Sequence, residues 1–291
     1  TVAEGGAWSV SVDGSILADN ASVSASITVT DAAGNQATAD ATHVYGVDPS
    51  AAATIAIDSV TADNIVNATE SASTVAITGT VGGDAKEGDT VTVHIGDQIL
   101  IGHVTVNNTW SVNVAGSVLA ANTSISASVA SSDAAGNTTT ADATHVYTVD
   151  TAAQASITIN DIAGDNTINY AESNGTVAIT GTVGGDAKAG DTITVTVGEH
   201  TVTTTVGEGG TWSVGVDGSI LAGNASVSAS ITATDVAGNE VTVGASRPYA
   251  VDTEAQATIT INDVTADNVV NAVESAGTVA ITGTVGGDAK E

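Results

Sequence analysis

The chain has 291 residues, enough for two or three ordinary domains. Its 33 acidic residues face 4 basic ones, a formal net charge of −29 that excludes nucleic acid and anionic membrane surfaces as partners by like-charge repulsion. No cysteine is present, so disulfides and thiolate metal sites are out, and no stretch of about 18 apolar residues could cross a membrane.

Abundant Val, Ile, Thr and Ala, with a mildly positive mean hydropathy, argue for packed β structure rather than acidic disorder. The opening TVAEGGAWSV reads as a strand and not as a signal peptide. From there the chain repeats itself. Trp8, Trp110 and Trp212 recur at a spacing of 102 residues, as do Asp48, Asp150 and Asp252, and TVAITGTVGGDAK occurs three times without an insertion. Residues 1–50 read as the end of one repeat, 51–152 and 153–254 as complete repeats, and 255–291 as the start of another. The first residue aligns with His103 and the last with Glu87, which suggests a window on a longer array.

Within 153–254 the apolar residues alternate with a period of two. Seven strands are predicted: 155–160, 176–183, 191–198, 200–206, 211–217, 225–235 and 240–251. Turns rich in Gly, Asn and Asp divide them, and GSILAGN (218–224) fits a single helical turn. Seven short strands in about 100 residues predict an all-β, seven-stranded immunoglobulin-like sandwich, repeated in tandem end to end as a rod. Trp212 and Tyr249 are expected in its core.

An odd number of up-and-down strands brings the chain in at one pole, here called the near pole, and out at the far pole. The loop between the first two strands carries a repeated stretch, TADNIVNATE, AGDNTINYAE and TADNVVNAVE. That loop and the outgoing linker fall at the far pole. The turns GGDAKAGD and DVAGN fall at the near pole. Where 51–152 meets 153–254, Asp63, Asn64, Asn67 and Glu70 come from below. Asp150 comes from the linker, and Asp186, Asp191, Asp235 and Asn239 from above. Such carboxylates repel unless a positive charge intervenes. The lysines, Lys86, Lys188 and Lys290, number one per repeat and do not suffice. Calcium takes six to eight oxygens from carboxylates, amides and backbone. Asp161, Asp165, Asn169 and Glu172 stand at positions 1, 5, 9 and 12 of a twelve-residue loop, a partial match to an EF-hand ladder without flanking helices. Ala163 stands at position 3 and Asn166 at the usual glycine. Magnesium demands a tighter octahedron. Zinc and copper would need histidine or thiolate, and the five histidines offer no repeated site: His43 and His145 become Arg247 in the next repeat, while His94, His103 and His200 have no counterparts in register. Against the metal reading, Asp and Asn also make turns unaided. Glutamate has no special turn role, which leaves Glu70, Glu172 and Glu274 as the stronger ligand candidates.

The strand motifs, the DNxxNxxE loop and the VD linker together resemble the tandem bacterial immunoglobulin-like extender repeats of giant RTX and biofilm adhesins. These are exported by type I secretion and are similar to the extender region of ice-binding adhesins. The resemblance covers the whole chain. It implies an extracellular, cell-surface rod, stiffened by calcium and by contacts between neighbouring repeats, that projects a distal binding domain for attachment or biofilm formation. It implies calcium ligands at Asp150, Asp165, Asn169 and Glu172 and at their register mates Asp48, Asp252, Asp63, Asp267, Asn67, Asn271, Glu70 and Glu274. The glycine-rich nonapeptides of an RTX β-roll are absent from the sequence. The distal ligand is not legible, and no membrane insertion is expected of this segment. An alternative is that the repeats themselves bind glycan, ice or another surface, for instance through VTTTV (202–206). Catalysis is not expected, because no Ser/His/Asp set recurs in register.

Overall fold

A computed structural model describes residues 1–289; Lys290 lies outside them. The chain divides into two compact units, Thr1–Thr151 and a second beginning at Ala152. Each contains one β-sandwich with its own core, and the second is described first.

Its elements are β1 (Ala155–Ile157), β2 (Thr167–Ile168), α1 (Tyr170–Ser173), β3 (Thr176–Gly185), β4 (Thr192–Val197), β5 (His200–Thr205), β6 (Thr211–Asp217), α2 (Gly218–Ala222), β7 (Ser226–Thr234), β8 (Glu240–Pro248) and β9 (Ala250–Val251). One sheet has the order β1-β3-β6, and the facing sheet β5-β4-β7-β8. All these pairings are antiparallel. The two-residue strands β2 and β9 pair in parallel.

The alternation seen in the sequence is the inside–outside alternation of the sheets. Val177 and Ile179 on β3, Ile193, Val195 and Val197 on β4, and Val227, Ala229 and Ile231 on β7 are all buried in one core. Burying each Ile or Val stabilises the sandwich by about 2 kcal/mol. Trp212 lies among them, opposite Gly181 on the neighbouring strand. A Cβ at Gly181 would sit 1.9 Å from the Thr158 carbonyl oxygen and 2.6 Å from the Trp212 ring. The glycine in TVAITGTV is therefore the space into which the indole packs. Tyr249 closes the core at its far end, its hydroxyl donating to the Leu221 carbonyl at 2.8 Å.

The sandwich at 51–151 is built alike. Ala53–Ile57, Thr74–Gly83 and Thr109–Ala115 form one sheet. Gln98–His103, Thr90–Ile95, Ser124–Ser132 and Thr138–Val146 form the other. Trp110 packs on Gly79, and Tyr147 donates to Leu119 O at 2.9 Å.

Residues 1–50 and 255–289 have fewer strands. The first holds the hairpin Ser22–Thr30 with Gln36–Val44, and the second the pair Ala257–Ile261 with Gly283–Gly287. The expectation of a strand over residues 1–10 is corrected here: none forms. In the complete sandwiches the equivalent residues pair with the long strand Thr74–Gly83 or β3, and residues 1–50 contain no such strand. Trp8 is accordingly 59% exposed, against 1% for Trp110.

Candidate functional site at the module poles

The far pole is organised by the parallel pair of β2 and β9. Ala250 N donates to Asn166 O at 3.0 Å and Asp252 N to Ile168 O at 2.9 Å. Asn166 turns the chain into β2 with φ of 64°, a conformation asparagine tolerates. Its side chain bridges the pole: Nδ2 donates to Pro248 O at 2.8 Å, and Oδ1 accepts from Ile162 N and from Arg247 Nε. Asp161 forms an ion pair with Arg247. Asp165 accepts Thr167 N at 2.9 Å, the local turn bond that aspartate side chains make.

Asn169 and Glu172 have a definite local role. Asn169 Oδ1 accepts the amides of Ala171 and Glu172, and Glu172 Oε2 accepts Asn169 N at 2.9 Å. This is a capping box at the start of α1, which satisfies amides the four-residue helix cannot satisfy itself. Asn67 with Glu70 repeats it, and Asn271 with Glu274 makes the same reciprocal bonds. The pattern N-x-x-E before a short helix was the signal available in the sequence. Reading the glutamate as having no turn role overlooked it.

In the first unit, Asp63 accepts Ile65 N and Thr61 Oγ1, which hold its carboxyl below the usual range, the backbone bond foremost. Asn64 has φ of 63°, donates to Val146 O and meets His145 Nε2 at 2.8 Å. His145 thus occupies the place of Arg247, and Ser59 that of Asp161. Asp150 N donates to Val66 O at 3.1 Å. Asp267 accepts Val269 N and Thr265 Oγ1.

At the near pole, Asp186 Oδ2 accepts Gln154 N at 2.7 Å, tying the incoming chain to the turn after β3. Asp191 accepts Lys188 N at 2.9 Å. Lys188 Nζ donates to Thr234 O at 3.1 Å, stapling that turn to the one after β7. Asp235 accepts both the side-chain and backbone amides of Asn239, and the side-chain bond leads in holding its carboxyl below the usual range. In the first unit the equivalent Asn137 also donates Nδ2 to the carbonyl of Asp48 at 2.9 Å, so the linker is strapped to a near pole.

The twelve-residue ladder does not form a cage of its own. Asp161 is drawn to Arg247, Asp165 to Thr167, and Asn169 and Glu172 to each other. Among the described residues no group of three or more His, Cys, Asp or Glu side chains could hold a metal ion. The chemistry of the donors still suits a hard cation. They are all oxygens, and the cited bonds of Asp165, Asp186 and Glu172 each use one carboxylate oxygen of two. Amide donors also fix the direction of each carboxylate, so little ordering would remain for an ion to impose.

The outer face of the second sheet carries aligned hydroxyls, Thr192, Thr194 and Thr196 facing Thr205, Thr203 and Thr201. The same positions in the first unit hold Thr90, Thr92 and His94 facing His103, Ile101 and Ile99, so the face is not repeated.

No protein-family model and no curated protein matches the chain. Solved structures do. One, concerned with host cell surface retention of a 1.5-MDa bacterial ice-binding adhesin, is 46% identical with a TM-score of 0.78, over 87% of this chain and 82% of its own. Another, a Ca2+-stabilized adhesin that helps an Antarctic bacterium reach out and bind ice, is 47% identical with a TM-score of 0.65, over 99% of this chain and 71% of its own. A bacterial immunoglobulin-like domain from the M. primoryensis ice-binding adhesin is 47% identical over 35% of this chain and 98% of its own, with a TM-score of 0.32.

Proposed function

Because the chain belongs to the bacterial immunoglobulin-like extender repeats of large adhesins and acts as a structural extender, we propose that calcium bound at its module poles stiffens it into a spacer outside the cell. The array we infer has modules at 1–50, 51–152, 153–254 and 255–291. Strands of about ten residues give each module a span of roughly 33 Å along the strand direction. Its far end would carry a domain that attaches to a surface.

The observation that carries this reading is the placement of the oxygens. In each complete sandwich, most Asp, Asn and Glu residues fall in the loops, linkers and turns between the long strands. The ligands proposed are the carboxylates of the linkers (Asp48, Asp150, Asp252), those of the far-pole loops (Asp63, Asp165, Asp267, Glu70, Glu172, Glu274) and those of the near-pole turns (Asp186, Asp191, Asp235). The bound ion would supply charge neutralisation. Extracellular modules bind calcium with dissociation constants of about 10⁻⁴–10⁻³ M, which suits a medium rich in the ion. A calcium-stabilised relative supports the choice of metal. The relatives are adhesin domains rather than enzymes, and no described helix is long and apolar enough to cross a membrane.

Calorimetric titration with calcium tests the reading. Heat that saturates in the wild type and falls by one class of sites in Glu172→Gln supports it. A flat trace in the wild type refutes it.

A further inference from the structure

We propose that Asn174–Gly175 is a site of spontaneous covalent change, at which water converts the Asn174 side-chain amide to an aspartyl or isoaspartyl group. It is the one asparagine in the 291 residues that is followed by glycine. The other copies carry Ala72–Ser73 and Ala276–Gly277 in the same register. Both Asn174 and Gly175 are exposed. A Cβ on Gly175 would meet nothing nearer than Ala171 O at 3.7 Å, so the Gly175 nitrogen is sterically open to its neighbour's side chain.

The nitrogens of the pair make four bonds within α1 and its cap: Gly175 N to Glu172 O at 3.1 Å, Asn174 N to Ala171 O at 3.3 Å, and Asn174 Nδ2 to Tyr170 O at 2.7 Å and to Ser173 Oγ at 3.3 Å. A four-residue helix has no stability of its own, so they are lost together whenever its end frays.

In the opened turn the Gly175 nitrogen gives its proton to solvent and bonds to Asn174 Cγ. The Cγ–Nδ2 bond breaks, and Nδ2 leaves with a proton from water as ammonia. The resulting five-membered imide is opened by a second attack. Water adding at Cγ gives aspartate. Water adding at the main-chain carbonyl leaves the backbone running through the side chain. Overall one water is consumed and one ammonia released, and no oxidant or cofactor is needed.

Neither product fits the native turn. Aspartate places an acceptor where Nδ2 donated to Tyr170 O. Isoaspartate lengthens the backbone beside Gly175 O, which accepts Gly218 N at 2.8 Å. That contact has no slack, since a Cβ on Gly218 would lie 1.9 Å from Glu172 O and 3.0 Å from Gly175 O. Modification therefore loosens α1 and the capping box at one far pole only, as the chain ages.

The test is to incubate the folded chain in heavy-oxygen water near neutral pH and map its peptides by mass spectrometry. Residue 174 is expected to convert before any other asparagine and to carry one heavy oxygen. Asn174→Ala and Gly175→Ser, which borrow the residues of the first unit, are expected to abolish the change. Asn169→Ala removes the cap and is expected to raise the rate about fivefold by raising the opened population. The proposal is overturned if residue 174 keeps its amide in the folded chain while the chain in denaturant converts. Equal conversion in Gly175→Ser would overturn it too.

Discussion

Glu172 has two claims on its carboxylate, and they can be separated chemically. A capping box accepts Glu or Gln, because only an oxygen facing the Asn169 amide is needed. At a calcium site the same change removes one negative charge and the capacity for bidentate carboxylate binding. Glu172→Gln is therefore expected to leave the melting temperature in chelator unchanged and to reduce the calcium-induced rise, whereas Glu172→Ala lowers both. Thermal melts with and without calcium read the difference. Gly181 sits where β1, β3 and the Trp212 ring meet. Gly181→Ala is expected to cost about 3 kcal/mol or more in urea unfolding, since neither the Thr158 carbonyl nor the indole can step back cheaply. Asp217 caps α2 by accepting Ser219 N and Oγ, and these bonds hold its carboxyl below the ordinary range. A depressed value means that its stabilisation is fully present above the unfolded carboxyl's titration and is lost as pH falls through the folded value. Asp217→Ala, which copies the uncapped Ala115, is expected to remove that acid-side loss in melts below about pH 4.

The long strands were legible because each buries one face, and burial writes a period of two into the sequence. The seven predicted strands of 153–254 match β1 and β3–β9 to within a few residues, with the last split into β8 and β9. The elements that escaped are those too short to show a period. β2 has two residues and α1 four; what identifies them is bonding across the fold, from Ala250 N to Asn166 O and from Asp252 N to Ile168 O. The sequence places Asn166 at the glycine position of the twelve-residue loop, and its φ of 64° fits that position. In space it is the strut that holds β2 to β8 and β9. Asn166→Ala removes the Pro248 bond and places alanine at a positive φ. It is expected to destabilise the module by about 2 kcal/mol and to speed hydrogen exchange at Ala250 and Asp252 before the core strands respond. The Asp161–Arg247 pair beside it is half-exposed, so its loss is expected to matter much less. Tyr249 closes the same pole, and burial raises its phenol above the ordinary range. A raised value gives stability that is whole below the unfolded tyrosine's titration and is lost as pH climbs through the folded one. Alkaline melts above about pH 10 should show that loss in the wild type and not in Tyr249→Phe, which instead carries a cost of about 1 kcal/mol at neutral pH for the lost bond to Leu221.

At the scale of the molecule, a net charge of −29 has to be reconciled with a chain whose modules follow one another through linkers of a few residues. The two complete sandwiches each have a separate apolar core. In the proposed function, calcium supplies order between modules. The most direct measurement is small-angle X-ray scattering on this chain in millimolar calcium and again after chelation. A longer maximum dimension with a rod-like profile in calcium, collapsing to a flexible-chain profile in chelator and only weakly restored in Glu172→Gln, is the expected result. Identical profiles in calcium and chelator would contradict it.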